Sequence, residues 1–224
     1  MIVYPINWRM IGVPISIDRV EQAILSTLSR IDCDCLSLSG GVDSCLLLYY
    51  LLTLDRKIRT FTITCSLDHP DIHYSQLAVS YFKKLFGVDI VGNWRTVSNV
   101  TGDSLVRSFY SGLKQHTDSI IAGDGIDEFM CGYYAHQRNP TEETYFDYLG
   151  CLQVDHLNPL NENSGDVKVY LPYLSEQVTN LLWQIPLSKK VDTTNRKKLI
   201  VELAKDKMPD EIIERRKYGL GTGC

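Results

Sequence analysis

The sequence predicts an α/β fold, a parallel sheet with helices on both faces followed by a helical C-terminal cap. Three observations carry that expectation. Short apolar or β-branched runs alternate with segments of helical periodicity through the first 135 residues, two of the runs end in glycine turns, and the pattern gives way afterwards to a polar, turn-rich stretch.

Taken in order, Asp18 with Glu21 three residues later reads as a helix start, and Val20, Ala23, Ile24, Leu28 and Ile31 share a face, predicting a helix over 18–31. Residues 33–38, Cys-Asp-Cys-Leu-Ser-Leu, read as a buried strand that turns through glycines into a helix beginning near Asp43. A β-branched strand follows at 58–64. The next helix puts Tyr74, Leu77, Ala78, Tyr81, Phe82 and Leu85 on one face and closes at Gly87. A strand at 88–91, a helix carrying Leu105, Val106, Phe109, Tyr110 and Leu113, and a strand at 119–122 complete a core over about 16–137. From 138 to 224 the chain reads as the cap. It has helices at 178–185 and 196–207, an apolar island at 171–174 around Pro172, and a mobile connection at 154–166.

The bulk numbers narrow the class. With 224 residues, 44% hydrophobic and 22% charged, the chain can bury a substantial core as one domain. A net charge of -4 argues against a broad nucleic-acid footprint. No apolar run is long enough to span a bilayer, and the N-terminus lacks a basic region followed by an apolar one, so a cytoplasmic protein is expected. Seven cysteines without C-x-x-C spacing are expected to be mostly small buried hydrophobes in a reducing compartment. Cys33, Cys35 and His73 are likewise assigned to core packing and a polar helix face.

In such sheets ligands sit at the carboxyl ends of the strands, which directs attention to Ser39-Gly40-Gly41-Val42-Asp43-Ser44 and Gly123-Asp124-Gly125-Ile126-Asp127-Glu128. The first offers glycines where backbone approaches a ligand, hydroxyls at both ends, and a helix N-terminus that attracts an anion, which makes it a phosphate cradle. It lacks the lysine of a Gly-Lys-Ser/Thr loop and carries Asp43 instead, a carboxylate that makes sense beside phosphate only with a divalent cation between them.

The hexapeptide resembles the S-G-G-x-D-S signature of PP-loop ATP pyrophosphatases. The segment from Gly123 to Tyr133 is similar to the G-E-G-x-D-E-L-F-G-G-Y of the asparagine synthetase synthetase domain, a relative of β-lactam synthetase. Further similarities follow in order. Phe61-Thr62-Ile63-Thr64 resembles a strand whose backbone frames adenine, and residues 167–174 are a degraded L-E-V-R-V-P-F-L. Lys197 falls at the lysine of K-x-x-L-R, and the stretch from Arg216 to Gly221 resembles R-x-K-x-x-F-G.

The resemblance implies ATP bound by Leu38, Ser39, Gly40, Gly41, Asp43, Ser44, Ile63 and Gly123, with Mg²⁺ held by Asp43 and Asp127. Lys197, Asp124 and Lys217 are the implied catalytic residues, the lysines stabilising charge on the α-phosphate and departing pyrophosphate, while Lys198 and Arg215 read as surface charges. The implied reaction joins a substrate carboxylate to ammonia or an amine as an amide, releasing AMP and pyrophosphate.

The departures are specific. Ile2 follows Met1 where glutamine-using members have cysteine, and no glutaminase domain is expected, so a separate amidotransferase is the implied partner if ammonia comes from glutamine. Asp124 replaces glutamate, Lys168, Tyr170 and Ser175 replace the charged positions of the acceptor segment, and the stretch between Tyr133 and Asp166 is short. Two other readings stay open at this point, adenylation of a carbonyl on a base or heterocycle, including tRNA, and a degenerate ATP-binding regulatory subunit.

Overall fold

The computed structural model describes residues 16–97 and 102–217. Five strands, β1 (Cys35–Ser37), β2 (Arg59–Thr64), β3 (Val91–Thr96), β4 (Ser119–Ile121) and β5 (Lys168–Tyr170), form one sheet in the order β3-β2-β1-β4-β5 with every pair parallel. Around it lie α1 (Ile17–Leu28), α2 (Val42–Thr53), α3 (Pro70–Phe86), α4 (Gly102–Leu113), α5 (Ile126–Phe129), α6 (Tyr134–Arg138), α7 (Glu142–Cys151), α8 (Asn158–Ser164), α9 (Glu176–Gln184), α10 (Leu187–Lys190), α11 (Lys198–Ala204) and α12 (Asp210–Ile213). A π-helical turn spans Leu152–Leu157 and a 3-10 turn Pro172–Leu174.

Strand order explains where a ligand can bind. From β1 the chain steps outward through α2 to β2 and through α3 to β3, then returns past β1 to β4 by way of α4. Because parallel crossovers are right-handed, reversing the direction puts α4 on the face opposite α2 and α3. The connections leaving β1 and β4 therefore diverge, and the crevice between their carboxyl ends is the topological switch point. Both glycine-bearing turns read from the sequence leave those two strands.

Packing follows the apolar pattern. α2 is nearly all apolar, and Ser44 to Leu48 with Tyr50, Leu51 and Leu52 are buried, as a helix wedged between sheet and cap requires. α1 presents Val20, Ile24, Thr27 and Leu28 inward and starts at Ser16, whose Oγ accepts from the Arg19 N–H, earlier than the acidic pair suggests. α3 closes as expected on Gly87 in the left-handed conformation. Cys33, Cys35, Cys45 and Cys131 are buried and Cys151 is exposed. Among the described residues no helix is long and apolar enough to cross a membrane.

Three expectations are corrected. The strand expected at 88–91 runs over Val91–Thr96, because its pairing with all of β2 sets its length where alternation in Gly92-Asn93-Trp94-Arg95 gives no apolar face. Residues 154–166 are not an open connection: they form the π-helical turn and α8, which packs along α4. The C-terminal third is more than a cap, since Lys168–Tyr170 adds the fifth strand beside β4, with Ser119 opposite Lys168 and Ile121 opposite Tyr170.

Candidate active site

The turn after β1 is braced by its own side chains. The Ser39 hydroxyl accepts from the Gly41 N–H at 3.3 Å and lies 3.2 Å from the Ser44 hydroxyl, which donates to the Gly41 carbonyl at 3.1 Å. Gly41 is the N-cap of α2 and has no side chain to satisfy the first N–H groups, so the helix N-terminus stays open toward the cleft. Gly40 sits at φ 73°, and a methyl group there would overlap the backbone of Tyr74 and Ser75 in α3. Gly40→Ala is expected to destabilise the protein by about 2–5 kcal/mol, the sum of a left-handed non-glycine residue and overpacking against backbone. Denaturant unfolding measures it, and an unchanged midpoint would refute the account of the turn.

A cleft of about 530 Å³ opens above this turn. Leu38, Ser39, Gly41, Asp43, Ser44, Ile63, Gly123, Asp124, Asp127, Lys197 and Lys217 all line it. Gly40 is not among the lining residues; it is buried under α3, where it shapes the turn. One wall is apolar, from Leu38, Phe61, Ile63, Val106, Phe109 and Tyr110. β1 ends opposite Phe61, so Thr62–Thr64 of β2 project beyond it, and the Thr62 hydroxyl donates to the Leu38 carbonyl at 2.6 Å.

The other wall is ionic, and Lys197 is its centre. Lys197 is the N-cap of α11 at φ 51°, a left-handed conformation that costs about 1–2 kcal/mol for a residue with a side chain. Its ammonium group is buried between Asp43, to which it donates, and Asp127, 2.6 Å away. The Lys197 ammonium faces Asp127 Oδ1, whereas the buried Asp43 Oδ1 has no donor among the described residues. Lys217 takes the other Asp127 oxygen at 2.6 Å and lies over the Tyr133 ring. Gly132 makes this approach possible, for a Cβ there would collide with the Asp127 carboxylate and the Lys197 stem.

Burial pushes the Asp43 carboxyl up, and Lys197 pulls it only part of the way back. Burial alone would also raise Asp127, but Lys197 and Lys217 outweigh it and hold that carboxyl well below the usual range. Burial works against the Lys197 ammonium, and Asp127 and Asp43 more than restore it, so Lys197 stays charged. Burial lifts Glu128 as well, with the Tyr133 hydroxyl donating to its Oε1 at 2.6 Å.

Sequence reasoning missed several wall residues. Arg215 is no surface charge: its side chain is 6% exposed, pairs with Asp71 and donates to the Ser39 carbonyl at 2.8 Å, tying the C-terminal segment to the phosphate turn. Standing two residues before Lys217, it also fits the R-x-K spacing better than Arg216, whose side chain is not on the cleft wall. His156, from the segment expected to be mobile, lines the cleft and hydrogen-bonds Asp124 at 2.8 Å. Nothing in its local sequence marks it. Tyr173, in the degraded acceptor segment, donates to the Asp43 carbonyl at 2.9 Å and so fixes the start of α2. Lys198 is turned elsewhere, donating to the Ser188 carbonyl at 2.8 Å and pairing with Asp192 at 2.9 Å. The exposed His73 meets Glu211 across α3 and α12 at 3.1 Å.

A glycine turn at a helix N-terminus, faced by paired carboxylates and lysines at a switch point, is the arrangement of an ATP-using PP-loop enzyme. The asparagine synthase family model matches residues 27–84 and 162–223, more than half of the chain, and the chain belongs to that family. Between its two parts the match leaves out 85–161, the stretch that contributes Asp124, Asp127 and His156 to the cleft. No curated protein matches the sequence. Among solved structures, NMN synthetase from Francisella tularensis is similar at 14% identity and a TM-score of 0.49, over 94% of this chain and 79% of that one.

Proposed function

We propose that this chain uses ATP to activate a carboxylate as an acyl-adenylate, with pyrophosphate leaving, and passes the acyl group to ammonia or an amine as an amide. The observation that carries the reading is the convergence of Lys197, Lys217, Asp43 and Asp127 beside the open N-terminus of α2. The N–H groups of the turn and α2 take phosphate oxygens, Lys197 and Lys217 face the charge that builds on the α-phosphate and on the leaving pyrophosphate, and the apolar wall takes the adenine.

Asp43 and Asp127 would hold Mg²⁺. Their donor chemistry fits: both are hard carboxylates, Asp43 keeps a buried oxygen with no donor, Asp127 is faced by the two lysine ammonium groups, and phosphate oxygens would supply further ligands. Bound there, the ion would offset phosphate charge and ease departure of pyrophosphate. Holding carboxylate and nucleotide in one cleft makes the second step effectively intramolecular. A separate amidotransferase is the ammonia source this reading allows.

A panel of carboxylates, aspartate included, tests the reading by pyrophosphate release with ammonium present and absent. At least one carboxylate is expected to release pyrophosphate, with amide appearing only when ammonium or an amine is added and none from glutamine alone. Failure of every carboxylate to elicit pyrophosphate would sink it.

A further inference from the structure

An amine at neutral pH carries a proton it must lose before its lone pair can attack, and the residues assigned so far do not take it. Lys197 and Lys217 are engaged as cations with Asp43 and Asp127. The cleft wall holds a different group with the required geometry. His156 projects from the π-helical turn Leu152–Leu157, an irregularity often found at functional sites, and its Nε2 lies 2.8 Å from Asp124 Oδ1. A carboxylate only accepts, so Nε2 carries the hydrogen and Nδ1 the lone pair. The two side chains are 37% and 29% exposed and both line the cleft, so a small solute reaches them. A base oriented by a second group, with its other nitrogen available, is the constellation of general base catalysis.

The surroundings favour a cation. Glu128 and Asp127 face His156 from α5, and Asp155 precedes it on its own segment. What α8 adds to the wall, Pro159, Leu160 and Asn163, is neutral. An arriving ammonium ion is attracted here and an anionic nucleophile repelled, and the imidazolium formed by proton uptake is stabilised.

We propose that the nitrogen nucleophile enters as ammonium or a primary ammonium ion beside His156, and that His156 Nδ1, oriented by Asp124, takes its proton. The proposal rests on the adenylation reading above and specifies its second substrate. In balance, the nitrogen loses one proton to His156 and its lone pair forms the C–N bond. The acyl C–O bond to AMP then breaks with its electron pair leaving on AMP, and a second proton leaves nitrogen as the amide forms. His156 passes the first proton to water, and the second, shed by the far more acidic acylated nitrogen, goes directly to solvent.

The test separates the two half-reactions, using the carboxylate that scores highest in the panel. ATP–pyrophosphate exchange reports activation, and amide yield with ammonium chloride, ethylamine or hydroxylamine reports capture. In His156→Gln, capture of ammonium and ethylamine is expected to fall roughly 100-fold, the scale of losing a general base, against at most a few-fold change in exchange. Hydroxylamine, uncharged at neutral pH, should be captured at nearly the wild-type rate. The Asp124 hydrogen bond raises the His156 imidazole from its ordinary value against the opposing effect of burial, so wild-type capture should climb with pH along a limb displaced upward by that bond. Asp124→Asn should move the limb to lower pH.

Equal losses for hydroxylamine and ammonium, or equal losses in exchange and capture, would overturn the proposal and leave His156 as a brace between the π-helical turn and the β4 turn. A wild-type protein without exchange for any carboxylate would instead remove the adenylation reading, and the proposal with it.

Discussion

Lys197→Met is expected to lower the rate of pyrophosphate release by roughly 100-fold or more while changing ATP affinity little, the signature of a group that acts on developing charge. Methionine keeps the apolar stem, and the left-handed backbone at φ 51° is no harder for it than for lysine, so the turn before α11 should persist. What disappears is the ammonium between Asp43 and Asp127. Lys198→Met is the matched control. The adjacent residue is expected to be nearly silent because its amino group reaches the Ser188 carbonyl and Asp192, away from the cleft. Lys197 stands before the helix, and its left-handed conformation, not the step of about 100° between neighbours along a helix, sends the two side chains apart. Single-turnover rates with nucleotide binding measured separately decide the matter. Equal losses in both variants, or a loss of affinity alone, would leave Lys197 as a binding charge.

Asp43→Asn is expected to abolish pyrophosphate release with the fold intact. The amide has the same size, and burial already works against the charged form of Asp43, so removing that charge costs little stability. Lys197 keeps Asp127 as a partner. The thermal midpoint should hold or rise slightly, and Mn²⁺ binding in the presence of ATP should weaken together with turnover, because one of two hard ligands is gone. Normal turnover by this variant would remove Asp43 from the chemistry.

The parts of the site that lie on regular strand-turn-helix units are legible in the sequence, because each needs a local pattern that chemistry enforces. Ser39 to Ser44 must be small, hydroxylated and followed by a helix; Gly123 to Glu128 must leave a strand. Lys197 is marked by the apolar pair Leu199 and Ile200 that follows it, although its place just before the helix is not.

The rest is hidden for physical reasons. β5 is three residues long and runs almost straight into Pro172, so it has neither the length nor the alternation that marks a strand; only its pairing with β4 defines it. Residues 154–166 look like a loop because one side of that helical stretch faces a wet cleft and carries His156 and Asn163 in place of apolar groups. Arg215 sits in a run of basic residues, and which member of such a run turns inward depends on a distant acid, here Asp71, 144 positions away.

β5 and Lys197 also bear on how the molecule is assembled. Lys197 lies 154 positions from the Asp43 it contacts, and β5 is delivered to β4 from the far side of α5, α6, α7 and α8. Contacts of such long range are the slow ones, since loop-closure entropy is lost before they form. During synthesis β4 emerges with one edge bare, and the segment that later covers it leads directly to the part of the chain that carries the lysine. A chain caught before that closure has an unpaired edge and no ammonium beside the phosphate turn, so immature molecules are both the ones most prone to associate and the ones unable to turn over ATP.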